Sequence, residues 1–405
     1  MDFEVVILGT DINAYYMARN THEVYNKKAY VIGKVPMNFT SFSNILNIEY
    51  EPELWNKDKL LKRLSDFAEK HKNKKLVLIG SNDTYVRLIV ENKDELEKKY
   101  LFNYPSLDIL NKLLIKDNFY NNFKDILDLP KTYIYECSKK NLDMNIIKDF
   151  MYPIIIKPGD GVLYYEHKFQ GQAKVYKVKT EEEIKSVIKQ IEDSGYNGNL
   201  IIQEFIPGDD SLLFDSILYV DKKHKVKVQS FAQIGLQEHS STGVGNCTLL
   251  INGYNEYNNT NIIISKLKNF LESINYSGIA EFDLKYDTRD SKFKIFEINP
   301  RQARSSYYLT ALGCNLVEYL VDELVYNSPK EYRFLDEEIC LTFVPKKVIK
   351  NHVVNKKYKN EVLKLYKEKK VVNPLKYKKD NNLKRKLWLF IRDINYNKKY
   401  KKNEW

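Results

Sequence analysis

Two strand-like segments on either side of a polar turn constrain this chain more than any other feature of its sequence. They read GIAEFDL at 278–284 and FKIFEINPR at 293–301. If they pair about a turn centred near residue 290, Asp283 lies opposite Glu297, because paired positions in a hairpin have a constant index sum. Asn299 follows two residues after Glu297 and therefore projects from the same face. A fold with this hairpin gathers two carboxylates and an amide oxygen on one face of a sheet.

These acidic residues have two interpretations. Carboxylates that face each other across neighbouring strands repel unless a cation lies between them, and hard oxygen ligands suit Mg²⁺ that holds nucleotide phosphates. Asp283, Glu297 and Asn299 are therefore predicted metal ligands, and two ions there would give the arrangement of two-metal phosphoryl transfer. The simpler alternative is an exposed hairpin whose acids are solvated.

Residues upstream of the hairpin could hold a nucleotide. Lys157 ends the β-branched segment at 152–158, and Lys116 precedes it in a helical region. Both ammonium groups could bind phosphate beside the backbone N–H groups of the glycine-containing loop at 159–161. A lysine after a strand is usually just exposed, so the order of these elements carries more weight than any one of them. Phe205 and Ile206 are predicted to form an apolar slot for the base, with Asp209 or Asp210 as acceptor for the ribose.

The N-terminal third alternates strand-like and helix-like segments, which is typical of a parallel α/β domain. The strand-like runs are 4–9, 29–33 and 75–80, and each ends in glycine or small polar residues. Only one glycine follows the first run, so the three-glycine dinucleotide motif is absent and a nicotinamide enzyme is disfavoured. Asp11 and Asp83 at these turns could contact substrate, although short polar residues there more often cap helices.

In their order these elements resemble the ATP-grasp superfamily, over roughly residues 1–326. The resemblance implies an α/β fold of the α+β ATP-grasp kind, in which a parallel N-terminal domain precedes a two-lobed domain with a mobile lid. The implied boundaries are 1–110 for the N-terminal domain, 111–200 for the lid subdomain with its leading helix, 201–335 for the catalytic subdomain and 336–405 for a basic C-terminal segment.

The same resemblance implies a role for each candidate residue. Lys116 and Lys157 would hold the phosphates of ATP, and the acid, acid, Asn set would bind two Mg²⁺ ions. The resemblance also extends the slot for base and ribose to Gln203 and Glu204 and favours Asp210 as the ribose acceptor. Arg301 matches the arginine that stabilises charge on the reacting phosphoryl and acyl groups. Ile115 departs from the pattern, since many members have aspartate there, and Ala303 stands where glycine is common.

Within the superfamily the chain is similar to the D-aspartate ligases of peptidoglycan cross-bridge synthesis. The segments that carry this closer likeness are 7–15, 171–176, 237–239, 245–246 and 299–308. The likeness implies that D-aspartate is activated as an acyl phosphate and joined to the lysine side chain of a nucleotide-linked stem peptide. Arg304, Ser305 and Ser306 could bind a substrate carboxylate. His239 could orient substrate or transfer a proton, although a loop histidine is as often a bystander.

Two alternatives share these residues. One is an ATP-grasp ligase that acts on another amino acid or makes a small peptide. The other is a non-catalytic scaffold that binds a nucleotide, and the joint presence of Lys157, Asp283, Glu297, Asn299 and Arg301 argues against it.

Charge is unevenly distributed along the chain. The net charge is +11, and residues 346–405 hold 21 Lys and Arg against 5 Asp and Glu, so the rest of the chain is slightly acidic. Such a segment can attract an anionic acceptor or an anionic membrane surface, or simply form a solvated lysine-rich face. A nucleic-acid module is disfavoured, because no helix-turn-helix, zinc or single-strand-binding pattern accompanies the charge.

Composition and cysteine spacing point to a globular protein of the cytoplasm. Hydrophobic residues make up 43% of the chain, enough for a sizeable core. The four cysteines stand far apart without C-x-x-C spacing, which argues against a disulfide framework or a zinc site. The first residues do not resemble a signal peptide, and no apolar stretch reaches the roughly 18 residues that span a bilayer.

Overall fold

The computed structural model describes residues 2–238, 243 and 245–402, and its N-terminal part is a parallel α/β unit. Its strands lie in the order β3-β2-β1-β4, and all neighbours are parallel. The elements are β1 (Phe3–Leu8), α1 (Ile12–Tyr25), β2 (Ala29–Gly33), β3 (Leu46–Tyr50), α2 (Lys57–Lys70), β4 (Lys75–Gly80), α3 (Asp83–Glu91) and α4 (Lys93–Leu96).

The predicted parallel α/β character of this unit is confirmed, and one strand was missed. Every residue of β1 is buried, as expected for a central parallel strand covered on both faces. Strand β3 is at the sheet edge, and only Leu46 of its five residues is buried. Its sequence, LNIEY, alternates apolar and polar residues, which is the pattern of a half-buried strand, so the signal was present but short.

A smaller antiparallel sheet follows, and we call it the lid sheet. Its strands lie in the order β5-β8-β6-β7. The elements are α5 (Leu107–Leu114), α6 (Lys116–Phe123), β5 (Thr132–Glu136), α7 (Met144–Ile147), β6 (Ile154–Pro158), α8 (Gly161–Glu166), β7 (Tyr176–Val178), α9 (Glu181–Asp193) and β8 (Asn199–Glu204). Strand β8 pairs with both β5 and β6, so the boundary expected between 200 and 201 falls inside a strand of the lid sheet.

The large sheet carries the predicted hairpin at one edge. Its strands run β14-β13-β9-β11-β12-β16-β17, and β10 joins β9 to β15. The elements up to β16 are β9 (Leu213–Val220), β10 (Val226–Ser230), β11 (Ala232–Gln237), β12 (Cys247–Asn252), α10 (Thr260–Ser273), β13 (Gly278–Asp287), β14 (Lys292–Asn299), α11 (Tyr307–Ala311), α12 (Leu316–Leu324), β15 (Arg333–Leu335) and β16 (Ile339–Thr342). Strands β13 and β14 pair antiparallel with Asp283 opposite Glu297, which confirms the predicted register.

The basic C-terminal segment is part of the folded body. It contains α13 (Lys346–His352), α14 (Lys356–Lys367), β17 (Val371–Val372) and α15 (Leu383–Lys402). Strand β17 extends the large sheet beside β16. Arg385 of α15 is 1% exposed, pairs with Asp380 at 3.0 Å and stacks over the Tyr15 ring at 3.7 Å. The segment therefore packs on the N-terminal unit as well as on the large sheet.

One hydrophobic core joins the N-terminal unit to the large sheet. Tyr15 and Tyr16 of α1 belong to the same buried cluster as Tyr308, Leu316 and Val317. This shared core holds the carboxyl ends of β1 and β4 against the residues that follow β14. In the part of the chain described here, no helix has the length and apolar character needed to cross a membrane.

Candidate active site

A cavity of about 440 Å³ lies where the N-terminal unit, α5 and α6 meet the β13–β14 hairpin. Its wall contains most of the residues singled out from the sequence, although they are spread over some 300 positions of the chain. Those residues are Asp11, Asp83, Lys116, Asp283, Glu297, Asn299, Arg301, Arg304 and Ser305.

Acidic side chains crowd one wall of the cavity. Glu281 and Asp283 are two residues apart on β13 and face the same side, and β14 places Glu297 and Asn299 opposite them. Asn299 Nδ2 donates a hydrogen bond to Asp283 Oδ2 at 3.2 Å. Burial, together with the charges of Glu281 and Glu297, raises the pKa of Asp283 well above its ordinary value. Burial also raises the pKa of Glu281, to about 8.

Glu297 differs from the other two acids because it faces lysines. Burial opposes its charge, but the positive charges of Lys116, Lys157, Arg301 and Lys174 together outweigh burial and lower the pKa of Glu297. Burial lowers the pKa of both lysines in turn. Lys157 Nζ lies 3.5 Å from Gln203 Oε1 and 5.7 Å from the centre of the Tyr120 ring. The structure therefore brings both predicted phosphate-binding lysines to the hairpin acids.

Arg301 ties the hairpin to the N-terminal unit. Its Nε is 3.1 Å from Asp83 Oδ1, its Nη1 is 2.9 Å from Glu281 Oε2, and its Nη2 donates to Asn299 Oδ1 at 3.1 Å. Burial disfavours its charge, but these carboxylates prevail and raise the pKa of Arg301 further. The Arg301 guanidinium therefore lies at the acidic wall and stays positively charged.

The acidic wall fits a divalent cation through its excess of carboxylates. Among the described residues, no three His, Cys, Asp or Glu side chains converge into a metal site by themselves. An ion here would depend on the amide oxygen of Asn299 and on phosphate oxygens besides Asp283 and Glu297. Asn299 Oδ1 accepts one hydrogen bond from Arg301, and because an amide oxygen has two lone pairs it could bind an ion as well.

The two aspartates predicted to contact substrate, Asp11 and Asp83, have different surroundings. Asp11 Oδ1 accepts hydrogen bonds at 3.0 Å from the backbone N–H groups of Asn13 and Ala14 and so caps α1. Its Oδ2 accepts from Ser81 Oγ at 3.0 Å and from Asn82 Nδ2 at 3.2 Å. Asp11 is therefore a helix cap on the cavity wall. The side chain of Asp83 is 45% exposed and meets Arg301.

The predicted nucleotide slot lies at the end of β8. The Phe205 ring centre is 4.0 Å from Lys177 Nζ and 5.1 Å from Lys285 Nζ, and Ile206 is buried. Burial lowers the pKa of Lys285 to about 8. Within the described residues, 203–206 lie outside the wall of the 440 Å³ cavity.

Two acidic residues of this region have partners within the protein. Glu204 Oε1 accepts from the Met151 N–H at 3.0 Å. Asp210 Oδ1 accepts from Gln237 Nε2 at 2.7 Å, and Oδ2 accepts from the Gln237 N–H at 3.0 Å. A ribose hydroxyl would therefore share Asp210 with strand β11.

The predicted carboxylate-binding residues are held by internal hydrogen bonds. Ser305 Oγ donates to Asp215 Oδ2 at 2.6 Å, and Ser306 Oγ accepts from the Ala303 N–H at 2.8 Å. Of the two serines, only Ser305 lines the cavity in the described part of the chain. Arg304 lines it too, whereas His239 lies outside the described residues.

Glu238 gathers three donors, and we call this group the Glu238 cluster. Arg304 Nη1 is 3.1 Å from Glu238 Oε1, and Tyr396 OH donates to the same oxygen at 3.0 Å. Lys399 Nζ is 2.7 Å from Oε2. Burial opposes the charge of Glu238, but Lys399 and Arg304 outweigh it and lower its pKa. Helix α15 thereby reaches the side chain that positions Arg304 at the cavity.

Sequence reasoning missed Glu281, Asp215 and Glu238. Glu281 was recognisable, because it precedes Asp283 by two positions and therefore shares its face. Asp215 pairs with Asp283 across β9 and β13, and burial raises its pKa to about 6. No local pattern marks Asp215. Glu238 lies in the segment 237–239 that carries the family likeness, but its partners on distant elements could not be read from that segment.

Comparison with known proteins agrees with this architecture. No protein-family model matches the sequence. The chain is 32% identical to a D-aspartate ligase of Enterococcus faecium (strain Aus0004) over 414 residues, which cover 99% of this chain and 96% of the relative.

Solved structures show the same fold at low identity. The ADP complex of an N5-carboxyaminoimidazole ribonucleotide synthetase has a TM-score of 0.61 at 15% identity and covers 84% of this chain and 80% of its own. The corresponding synthetase from Staphylococcus aureus has a TM-score of 0.61 at 12% identity over 86% of both chains. An L-amino acid ligase from Bacillus licheniformis has a TM-score of 0.56 at 12% identity and covers 80% of this chain and 74% of its own.

Proposed function

Since this chain belongs to the D-aspartate ligase family of ATP-grasp enzymes, we propose that it joins D-aspartate to the lysine side chain of a nucleotide-linked peptidoglycan stem peptide. As a member of this family it is a ligase that forms carbon–nitrogen bonds. ATP and such an acceptor are cytoplasmic molecules, so the proposal places the enzyme in the cytoplasm.

The observation that carries the proposal is the placement of cationic side chains beside the hairpin acids, with Lys116 and Arg301 on the cavity wall and Lys157 outside that wall. Lys116 and Lys157 lower the pKa of Glu297 from one side, and Arg301 holds Glu281 and Asn299 from the other. A triphosphate needs cationic side chains at its oxygens and a divalent ion between it and the acids. The site provides cationic side chains and oxygen ligands for such an ion, and this supports the use of ATP and Mg²⁺.

The reaction proceeds in two steps. A carboxylate oxygen of the amino acid attacks the γ-phosphorus of ATP, the bond from phosphorus to the β-phosphate oxygen breaks, and an acyl phosphate and ADP form. The amine then attacks the acyl carbon, and the tetrahedral intermediate collapses to an amide with loss of phosphate and of the amine proton. The chain contributes mainly position and charge, because phosphoryl transfer requires little covalent work from side chains.

The predicted site residues have the following parts in this scheme. Lys116 and Lys157 bind the phosphates, and Arg301 faces the charge that develops on the reacting groups. Asp283, Glu297 and Asn299 would hold a pair of Mg²⁺ ions. When bound, the ions would neutralise charge on the β- and γ-phosphate oxygens.

The second carboxylate of aspartate fits Arg304. This guanidinium lies on the cavity wall and is held by Glu238 on the other side. A planar guanidinium binds carboxylate in a bidentate manner, which would distinguish aspartate from amino acids with apolar side chains. The preference for the D-isomer is supported by the relative and not by a contact in the cavity.

A hydroxamate assay tests the amino-acid substrate. D- and L-amino acids are incubated with ATP, Mg²⁺ and hydroxylamine as the surrogate amine, and hydroxamate and ADP are measured. D-aspartate is expected to give the strongest signal, and Glu297→Gln serves as the inactive control. Signal from L-amino acids alone would exclude the D-aspartate assignment and leave an ATP-grasp ligase for another substrate.

A comparison of acceptors tests the second substrate. With D-aspartate held constant, ADP release is measured with the nucleotide-linked stem peptide, with the same peptide lacking the nucleotide, and with small amino-acid acceptors. The nucleotide-linked peptide is expected to give the highest kcat/KM, because its diphosphate is attracted by a basic surface. Equal or higher kcat/KM with a small acceptor would instead indicate a ligase that makes small peptides.

A further inference from the structure

The C-terminal helix α15 presents an apolar face to solvent. Five large side chains on it are exposed by 43% to 81%, and they recur at spacings of three, four and seven residues, which places them on one side of a helix. We call this surface the α15 outer face. Its apolar members are Leu383, Leu387, Phe390, Ile391 and Ile394.

The orientation of α15 is set by its opposite side. Arg385 is buried against Asp380, and Tyr400 OH donates to Thr248 or accepts from it at 2.7 Å. Lys399 and Tyr396 bind Glu238. A rotation that buried the outer face would break these contacts, so its exposure is a stable property of the fold.

Lysines surround the apolar side chains. Lys384, Lys386 and Lys398 are exposed along the same helix. The acidic residue of α15 is Asp393, which is only 24% exposed in its side chain and pairs with Lys376 at 2.8 Å. The α15 outer face is thus apolar at its centre and cationic at its margins.

We propose that the α15 outer face binds the surface of an anionic lipid bilayer, with the helix lying in the plane of the interface. Exposed Leu, Ile and Phe side chains suit the boundary between headgroups and acyl chains, and flanking lysines suit anionic headgroups. This surface contact needs no spanning segment. It is independent of the substrate assignment, because the Glu238 cluster is on the other side of the helix.

Charge favours a bilayer over a second copy of this chain. In a two-fold symmetric dimer the same surface meets itself, so Lys384, Lys386 and Lys398 would approach their own copies. Such like charges repel, whereas anionic headgroups attract all of them. The combination of apolar centre and cationic margin is therefore matched by anionic lipid.

Vesicle binding tests the proposal with the full-length protein. Sedimentation is measured with vesicles of phosphatidylcholine alone and of phosphatidylcholine mixed with phosphatidylglycerol. Binding is expected to the mixed vesicles and to weaken with added NaCl. Each Lys→Gln change at 384, 386 or 398 should weaken binding by about fivefold. No binding to the mixed vesicles would overturn the proposal.

A matched pair of variants tests the apolar contribution. Leu387→Glu with Phe390→Glu should reduce vesicle binding by about tenfold or more. Ile262→Glu is the control, because Ile262 is 66% exposed on α10, away from this helix. Unchanged ATP-dependent ligation in solution shows that each variant folds. Equal vesicle binding by the double variant and wild type would overturn the proposal, as would a wild-type dimer that only the double variant dissociates.

Discussion

The acidic wall of the cavity and the Glu238 cluster both contain buried carboxylates, but their surroundings shift the pKa of these groups in opposite directions. At the wall, burial and like charges raise the pKa of Asp283 and of Glu281. At the Glu238 cluster, one carboxylate receives Arg304, Tyr396 and Lys399, and its pKa is lowered. Acids are crowded together at the wall, whereas at the cluster two cations and a hydroxyl face one carboxylate.

This difference is the one expected between a binding site and a cluster that supports the fold. Crowded buried carboxylates cost stability unless a cation joins them, so their presence is explained by what they bind. A carboxylate with three donors contributes stability and fixes its partners in place. Mutations at the wall should therefore affect catalysis more than stability, and mutations at the cluster should do the reverse.

The largest effect is expected from Asp283→Asn. Turnover should fall by about 10³-fold, because a ligand of the predicted ions is lost while the amide still fills its space. The stability of the metal-free protein should stay equal or rise, since one of three crowded acids is removed. Turnover is measured as ADP release, and the stability of the metal-free protein is measured by thermal denaturation in EDTA. A near-normal rate would show that the metal site is elsewhere.

Arg301→Lys should reduce turnover by about 10²-fold. A lysine ammonium cannot reach Asp83, Glu281 and Asn299 together in the planar geometry of a guanidinium. Some stability should also be lost, because the ion pair between Arg301 and the buried Glu281 is weakened. Steady-state kinetics with both substrates measures the effect, and Arg87→Lys on α3 is the control. If kcat were retained, the role of Arg301 would be only to link the hairpin to the N-terminal unit.

Glu238→Gln should act on substrate binding and stability more than on the chemical step. The KM for the amino acid should rise by about tenfold with kcat nearly unchanged, and the free energy of unfolding should fall by about 1–3 kcal/mol. A lowered folded pKa contributes stability above the ordinary Glu value of 4.5 and loses it as pH falls through the folded value. The stability difference from wild type should therefore be constant from neutral pH down to about pH 5 and shrink below it. A difference that grew on acidification would contradict this assignment.

Lys399→Met should have the smallest effect, below about 1 kcal/mol in unfolding free energy, since the side chain is 36% exposed. Lys399→Arg should restore stability and the KM for the amino acid. Lys398→Met is the matched control, because the neighbouring side chain is exposed and outside the cluster. An equal loss in both variants would indicate a general effect of charge on α15.

Much of the site was predictable because its parts are local in sequence. Asp283 and Glu297 belong to one hairpin, and the register that pairs them follows from the position of the turn. The strands at 29–33 and 75–80 were predicted with the bounds that the structure has. The two lysines predicted to bind phosphate were singled out from their order along the chain together with a family resemblance.

The remainder was decided by the tertiary structure. Asp215 faces Asp283 because β9 lies beside β13, and the sequence between them does not specify that pairing. Tyr396 reaches Glu238 across 158 positions of the chain, so the basic segment could be interpreted only as a charged surface. Local periodicity determines which face of a strand or helix a side chain occupies, but it does not specify which element packs against that face. The sequence by itself therefore determined the hairpin with its acids, whereas packing decided which of the charges are neutralised.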